Sequence, residues 1–173
     1  MTASIYKRCV TDDDLAKVSL FILENRRDMH PSYSATDTIA MLYSFIKYGQ
    51  LIQVVDHNAQ RIIAASAYYL GTPECDYEDK HIAFIEMAIA DRAYRGSRLF
   101  IKGLRFLVSE IISDNPDVQE VRFAALAENV YLCKLYAKFA DRSHEEDSIL
   151  GKQMKFGVKI NNLRAFLDKF VKV

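Results

Sequence analysis

The chain has 173 residues, half of them hydrophobic, and its 23 Lys and Arg residues balance its 23 Asp and Glu residues. This length favours one domain with a sizeable core. The zero net charge gives no support for a nucleic acid or a membrane surface as partner, so any basic binding site must be local.

Cysteine usage and the N-terminus exclude further classes of protein. Cys9, Cys75 and Cys133 are odd in number, far apart and without metal-ligand spacing, which indicates neither a disulfide framework nor a metal site. The N-terminus lacks the apolar core of a signal peptide, and no apolar run approaches the roughly 20 residues that span a bilayer. We therefore expect a cytoplasmic protein.

The first fifty residues predict a strand and two helices. Residues 5–10 alternate like a short strand, and Thr11 then starts a helix in a capping-box-like pattern with Asp14. After a turn, either Ser34 or Thr36 starts a second helix. The apolar residues that we expect this second helix to bury are Ile39, Leu42 and Ile46.

The middle of the chain predicts three strands. Residues 51–55 and 61–70 form a hairpin around the turn at residues 56–59. An acidic loop follows, with Glu74, Asp76, Glu78 and Asp79. Residues 82–90 are apolar almost throughout, as expected for a strand buried on both faces.

A long helix follows a loop at residues 91–97. Its apolar stripe consists of Phe100, Leu104, Leu107, Val108 and Ile111. A strand at 118–126 and a helix at 130–139 come next, and residues 153–160 alternate as a strand. The order predicts an α/β (α+β) fold around one mixed sheet, in one domain over residues 1–173 with its core at about 3–160.

A helical extension at about residues 161–173 closes the chain. Its apolar stripe consists of Leu163, Phe166, Leu167 and Phe170. The stripe leaves two options open, packing on a second copy in a homodimer or packing on the chain's own sheet.

The densest basic cluster lies at residues 91–105, where a strand ends and the long helix begins. Its members are Arg92, Arg95, Arg98, Lys102 and Arg105, against one aspartate. Free backbone N–H groups and the helix dipole favour anions at such a junction, and Gly96 permits close approach of a ligand. These features predict a pyrophosphate site, and a solvated basic face is the alternative.

Residues 86–99, Glu-Met-Ala-Ile-Ala-Asp-Arg-Ala-Tyr-Arg-Gly-Ser-Arg-Leu, resemble the acetyl-CoA-binding motif of the GNAT acyltransferase superfamily. In that motif a strand bearing Glu runs into a Tyr-Arg-Gly turn and a helix. A second stretch, Ala127-Glu128-Asn129 with Tyr136 seven residues after Asn129, resembles another signature of the family. The strand order is similar from about residue 5 to residue 160.

The resemblance implies a mostly antiparallel sheet of six or seven strands with a central parallel pair that splays apart around the donor. It implies that acetyl-CoA or another acyl-CoA is the co-substrate, with no metal. It implies that the pantetheine arm of the donor contacts Ala88, Ile89, Ala90 and Asn129. The implied pyrophosphate turn consists of Arg95, Gly96, Ser97, Arg98, Leu99 and Phe100.

One departure from the family pattern lies in this turn. Arg98 and Phe100 stand where the family has small residues. Arg98 either adds a contact to phosphate or crowds the site. The departure leaves room for another donor, such as a longer acyl-CoA or an acyl-carrier protein.

Two residues are candidates for the chemistry of acyl transfer. Glu86 lies in the middle of an apolar strand, where burial raises the pKa of a carboxyl group and suits it to act as a general base. The alternative is a glutamate that faces a polar cleft or pairs with an arginine. The resemblance implies that Tyr136 is the general acid at the leaving thiolate, and a core tyrosine is its alternative. Cys133 has no neighbouring histidine in sequence, so we do not expect a covalent cysteine mechanism.

The acceptor is less defined. We expect the turn at residues 28–34 and the loop at residues 144–147 to flank it. Together with the loop at residues 74–79, the second segment makes the surroundings acidic, which favours a cationic amine, although solvated acidic loops fit equally. We therefore predict direct acyl transfer to a primary amine of a small molecule or peptide. The rival function is a non-catalytic GNAT-like binding or assembly module. A nucleic-acid partner is not expected, because no helix-turn-helix or base-stacking platform is recognisable.

Overall fold

The computed structural model describes residues 3–171, apart from the side chain of Ser97. Seven strands form one sheet in the order β1-β2-β3-β4-β5-β7-β6. The strands are β1 (Ser4–Arg8), β2 (Gln50–Asp56), β3 (Arg61–Leu70), β4 (Ile82–Ala90), β5 (Glu120–Leu126), β6 (Arg142–Ser148) and β7 (Gly151–Lys159). The helices are α1 (Asp12–Glu24), α2 (Arg26–Met29), α3 (Ala35–Tyr48), α4 (Ser97–Asp114), α5 (Val130–Tyr136) and α6 (Ile160–Asp168). Within the described residues, none of these helices is both long and apolar enough to cross a membrane.

The sheet is mixed, with one parallel pair at its centre. β4 and β5 run parallel, and their register extends from Ile82 opposite Glu120 to Ile85 opposite Phe123. The pairs β1–β2, β2–β3, β5–β7 and β6–β7 are antiparallel. Both β4 and β5 continue past their paired stretch. The predicted mixed sheet of six or seven strands, with a central parallel pair that separates towards its carboxyl ends, is confirmed.

Side chains at the helix starts account for the first two long helices. The Thr11 hydroxyl accepts a hydrogen bond from the amide N of Asp14 at 3.1 Å. The Ser34 hydroxyl accepts from the amide N of Asp37 at 3.0 Å, and the Asp37 carboxylate accepts in return from the amide N of Ser34. This reciprocal capping box satisfies two N–H groups that the helix itself cannot. Of the two predicted caps for α3, Ser34 is therefore used.

The described residues group into two compact units. Unit 1 contains the residues up to Tyr68 together with Met87–Phe106, and unit 2 contains Tyr69–Glu86 together with the residues from Leu107 onward. β3, β4 and α4 each contribute residues to both units. The single domain predicted from the sequence stays a prediction.

In unit 1, the buried face of α3 differs from the predicted one. The helix buries Thr38, Leu42 and Phe45, whereas Ile39 and Ile46 are 57% and 47% exposed. The Thr38 hydroxyl donates to a backbone carbonyl one turn earlier at 2.8 Å. Because this bond satisfies the hydroxyl, a threonine can take a core position, and hydrophobicity alone points to the wrong face.

The core of unit 2 is aromatic. Four rings pack together on the sheet: Phe123, Tyr136, Phe139 and Phe156. In α6, Leu163 and Leu167 are buried, and the Phe166 ring lies 5.3 Å from that of Phe139. The stripe of the closing helix therefore packs within its own unit, and the homodimer stays a prediction.

The predicted loop at residues 144–147 is wrong, because β6 occupies this segment. β6 pairs antiparallel with β7, from Arg142 opposite Gly157 to Ser148 opposite Gly151. Its residues are charged or polar and mostly exposed, as is common for a strand at a sheet edge. Such a strand has no hydrophobic alternation that would identify it in the sequence.

Candidate active site

Glu86 lies half-buried in β4 between two buried residues, Ile85 and Met87. Burial raises the pKa of Glu86 above its ordinary value, and the charge of Glu74 raises it further. The charge of Lys155 and a hydrogen bond from the Tyr69 hydroxyl act in the opposite direction. A carboxylate of raised pKa is a stronger base than the carboxylate of a solvated glutamate, which suits a general base.

The cation whose charge lowers the pKa of Glu86 is a lysine, Lys155, whereas the sequence suggested an arginine as the alternative partner. Lys155 lies in β7, and its side chain is only 15% exposed. Its Nζ is 3.3 Å from Oε1 of Glu74, 3.4 Å from Oε1 of Glu146, and 4.8 Å from the centre of the Phe84 ring. Sequence analysis missed this residue. The available signal was weak, because Lys155 is one of three lysines in β7, although it is the one at the middle of the strand.

Lys155 also connects the two predicted acidic segments. Glu74 belongs to the loop after β3, and Glu146 belongs to β6, yet both side chains contact the same ammonium group. The loop before β4 is fixed by Thr72, whose amide N and hydroxyl donate to the Asp79 carboxylate at 2.6 and 2.7 Å. Within unit 2, the acidic segments therefore reach the neighbourhood of Glu86.

Tyr136 is the last residue of α5 and is 1% exposed. Its ring centre lies 4.8 Å from that of Phe123 and 5.6 Å from that of Phe156. Burial raises the pKa of its hydroxyl. The hydroxyl therefore keeps its proton, as a general acid requires, while the aromatic packing is also what a core tyrosine needs.

Asn129 and Cys133 are tied to the start of α5. The Asn129 Oδ1 caps the helix by accepting from the amide N of Leu132 at 3.2 Å, so its Nδ2 group is the one suited to a donor molecule. The Cys133 thiol donates to the carbonyl of Leu126 at 3.5 Å, and burial raises its pKa. A thiol of this kind is a poor nucleophile, which argues against a covalent cysteine mechanism.

In unit 1, the predicted phosphate turn begins at the end of β4. The Asp91 side chain caps a short 3-10 turn at Arg92–Tyr94 by accepting from the amide N of Ala93 at 2.9 Å. The Arg95 Nε donates to the carbonyl of Ala90 at 3.2 Å. A side-chain carbon placed on Gly96 would meet no atom within 4 Å, so the backbone there is open to a ligand.

Arg92, just before the predicted phosphate turn, and Arg95, its first residue, already have an anionic partner. The Asp28 carboxylate accepts from Nε of Arg92 at 2.9 Å, and Nη2 of Arg95 lies 3.8 Å from its other oxygen. Asp28 belongs to α2, in the segment that the sequence placed beside the acceptor. Sequence analysis did not single out this residue, because no local pattern connects it to a turn sixty residues later.

The other residues that are predicted to contact the acyl donor differ in solvent exposure. In β4, Ala88 and Ala90 are half-buried and Ile89 is buried. In α4, which starts at Ser97, Arg98 is exposed and Leu99 and Phe100 are half-buried. The buried stripe of α4 consists of Ile101, Leu104, Leu107, Val108 and Ile111. Ile101 thus occupies the core position that the sequence assigned to Phe100.

Several solved structures of similar fold are acetyltransferases by name. The ribosomal-protein-S5-alanine acetyltransferase from Vibrio fischeri is 12% identical over 93% of this chain and 95% of its own, with a TM-score of 0.66. A GNAT-family acetyltransferase from Staphylococcus aureus Mu50 is 11% identical over 91% and 99%, with a TM-score of 0.67. An uncharacterized protein from Bacillus halodurans is 13% identical over 96% and 89%, with a TM-score of 0.72. The chain therefore has the GNAT fold.

Comparison by sequence adds nothing to this result, because no protein-family model and no curated protein matches the chain.

Proposed function

We propose that the protein is an N-acyltransferase that moves an acetyl or other acyl group from acyl-CoA directly to a primary amine. The observation that carries the proposal is the half-buried Glu86 of β4, whose pKa is raised by burial in a chain with the GNAT fold. A carboxylate of raised basicity is what deprotonation of an ammonium group needs near neutral pH. The cytoplasmic location stays a prediction from the sequence.

Two residues share the proton transfers in this proposal. Glu86 accepts a proton from the acceptor amine, whose nitrogen then attacks the thioester carbonyl. As the carbon–sulfur bond breaks, Tyr136 donates its hydroxyl proton to the departing thiolate. The proton that the newly acylated nitrogen still has to lose restores the Tyr136 hydroxyl, directly or through water, and Glu86 releases its proton to solvent. The acidic side chains around Lys155 favour an acceptor that carries positive charge.

The donor's diphosphate is proposed to bind at the turn from Arg95 to Phe100. Three features support this location: the open backbone at Gly96, the start of α4, and the guanidinium groups of Arg92 and Arg95. The pantetheine arm is proposed to follow the backbone of Ala88, Ile89 and Ala90. The family resemblance implies a further contact of the donor with Asn129.

A second candidate function is a GNAT-like binding module without catalysis. The observation that favours it is the Asp28 carboxylate, which already pairs with Arg92 and Arg95, the cations that a diphosphate needs. Arg98 and Phe100, at positions where the family has small residues, point in the same direction. A third candidate function is an acyltransferase whose acyl donor is an acyl-carrier protein.

An acyl-transfer assay tests the enzyme proposal. Purified protein, acetyl-CoA and a panel of polyamines, amino acids and aminoglycosides should release free thiol with at least one acceptor. Tyr136→Phe keeps the ring packing and removes only the proton donor. We expect turnover to fall by roughly 10²- to 10⁴-fold while donor affinity is nearly unchanged.

Two outcomes would redirect the proposal. If acetyl-CoA stabilises the protein against heat but no amine is acylated, the binding module becomes the better description. If Tyr136→Phe retains full turnover, then the acid is another residue or a water molecule, and Tyr136 serves the core.

A further inference from the structure

We propose that Lys155 is a positioning residue that keeps Glu86 ionised as the proton acceptor, and so sets the lower pH limit of acyl transfer. This inference rests on the proposed function. It concerns a residue to which the sequence analysis assigned no role.

The strand register puts Lys155 on the same face of the sheet as Glu86. Lys155 is directly opposite Ala124 of β5. Ile85 of β4 and Phe123 of β5 form the last pair of the two parallel strands. Glu86 and Ala124 are the next residues on these strands. Side chains alternate along a strand, so Phe84 shares a face with Glu86. The Lys155 Nζ over the Phe84 ring, at 4.8 Å, confirms that it lies on this face.

The Lys155 ammonium group is also held in place. Its side chain is mostly buried, and two carboxylates from different elements contact it, Glu74 at 3.3 Å and Glu146 at 3.4 Å. A long side chain with two fixed partners and an aromatic ring beneath it has lost most of its rotamer freedom. Its charge therefore acts from one position on the groups around it.

The charges facing Glu86 come from several elements. Lys155 of β7 and the hydroxyl of Tyr69 of β3 favour its ionised form, whereas burial and Glu74 oppose it. Glu146 of β6 acts through its contact with Lys155. Without Lys155, the carboxylates of Glu74, Glu86 and Glu146 would share this region, and the Tyr69 hydroxyl would donate to Glu86. Two or more carboxylates in one site favour protonation of one of them.

The structural test is the titration of Glu86 itself, in protein without donor or acceptor. Carbon-13 NMR of labelled glutamate side chains, assigned with Glu86→Gln, follows the carboxyl group directly. We expect Lys155→Met to move the titration of Glu86 to higher pH and Lys155→Arg to restore it. Lys152→Met is the matched control, because Lys152 lies on the same strand but pairs with Glu145 and Asp147. It should leave Glu86 unchanged.

The catalytic test is the pH profile of kcat/KM. We expect Lys155→Met to move its acidic limb to higher pH, to lower kcat/KM at pH 7 by roughly tenfold or more, and to regain most activity in alkaline buffer. A merely structural lysine would lower activity equally at every pH. Glu74→Gln removes an opposing charge, so it should move the Glu86 titration to lower pH. If Lys155→Met does not fold, Lys155→Gln, which also removes the charge, tests the inference by the same titration.

The outcomes separate the two proposals. If Glu86 titrates alike in the wild type, Lys155→Met and Glu74→Gln, this inference is overturned while acyl transfer stands. If Glu86 responds as expected but the wild-type protein acylates no amine, the electrostatic coupling stands and the proposed enzyme function is overturned.

Discussion

The burial of Glu86 affects both its basicity and the free energy of unfolding of the chain. Its pKa is higher in the folded chain than in the unfolded chain, because burial disfavours its charge. The folded chain therefore binds the proton more tightly. The stability linked to Glu86 is fully present below the unfolded pKa, about 4.3, and is lost as the pH rises through the folded pKa.

We therefore predict that Glu86→Gln stabilises the protein at neutral pH while it abolishes the proposed base. The expected gain in the free energy of unfolding at pH 7.5 is about 1 kcal/mol, or roughly 2–4 °C in Tm for a chain of this length. The gain should disappear below about pH 4, where both states of the wild type are protonated. Thermal unfolding across this pH range measures it. Glu145→Gln, an exposed residue of β6, is the control and should change little.

At the level of residues, the sequence identified Glu86 but not its partners. A charge among eight apolar residues is visible in one segment, so its burial could be inferred from β4 alone. Lys155 is about seventy residues away, and Asp28 is more than sixty residues from Arg92. These pairings depend on strand order and register, which local patterns do not specify.

Two glycines, each at the end of an element, show how backbone geometry decides the effect of a substitution. Gly71, after β3, has φ +89°, and a side-chain carbon there would lie 2.5 Å from the carbonyl O of Tyr77. Gly96, before α4, has open space around it. The first position excludes any side chain, and the second accepts one.

We predict that Gly71→Ala lowers the free energy of unfolding by about 2 kcal/mol or more, through the left-handed backbone and the clash. Gly96→Ala should stay within about 0.5 kcal/mol of the wild type, yet weaken binding of acetyl-CoA if the phosphate turn is placed correctly. Urea unfolding and calorimetric titration measure the two quantities. Equal stability of both variants would contradict the geometry at Gly71.

Asp28 of α2 gives the third prediction. If its carboxylate competes with phosphate for Arg92 and Arg95, Asp28→Asn should bind CoA and inorganic pyrophosphate about tenfold more tightly, which is the scale of a hydrogen bond to a charged group. Isothermal titration calorimetry with both ligands measures this. Asp13→Asn is the control, because Asp13 is exposed and pairs with Lys17 instead. Weaker binding by Asp28→Asn would mean that Asp28 orients the arginines for the ligand.

The secondary-structure prediction was correct for elements whose hydrophobic pattern and end signals lie within one segment of the sequence. The bounds of β3 and β4 match the sequence prediction, because each is a long apolar run with clear turn residues at its ends. β6 and α2 were missed. β6 consists of polar and charged residues, so its strand conformation is not visible in its own hydrophobic pattern. α2 has only four residues, too few for a hydrophobic period.

For the molecule as a whole, the order of elements predicted a mixed sheet, and the long helix between residues 82–90 and 118–126 supplies the crossover that a parallel pair needs. The sequence contained no sign of the two compact units, since no linker or change of composition separates them. Each unit instead combines two distant stretches of chain. Such a division arises from three-dimensional packing and has no local pattern.

The division leads to the last prediction. β3, β4 and α4 each have residues in both units, so the melting of either unit disrupts strands and a helix that the other also uses. We therefore expect one cooperative unfolding transition, with equal calorimetric and van't Hoff enthalpies in differential scanning calorimetry. Acetyl-CoA at 100 times its Kd should stabilise the folded chain by about 2.7 kcal/mol and move the whole transition without splitting it. Two separate transitions, or a ligand shift confined to one of them, would mean that the units fold independently and that the single domain is wrong.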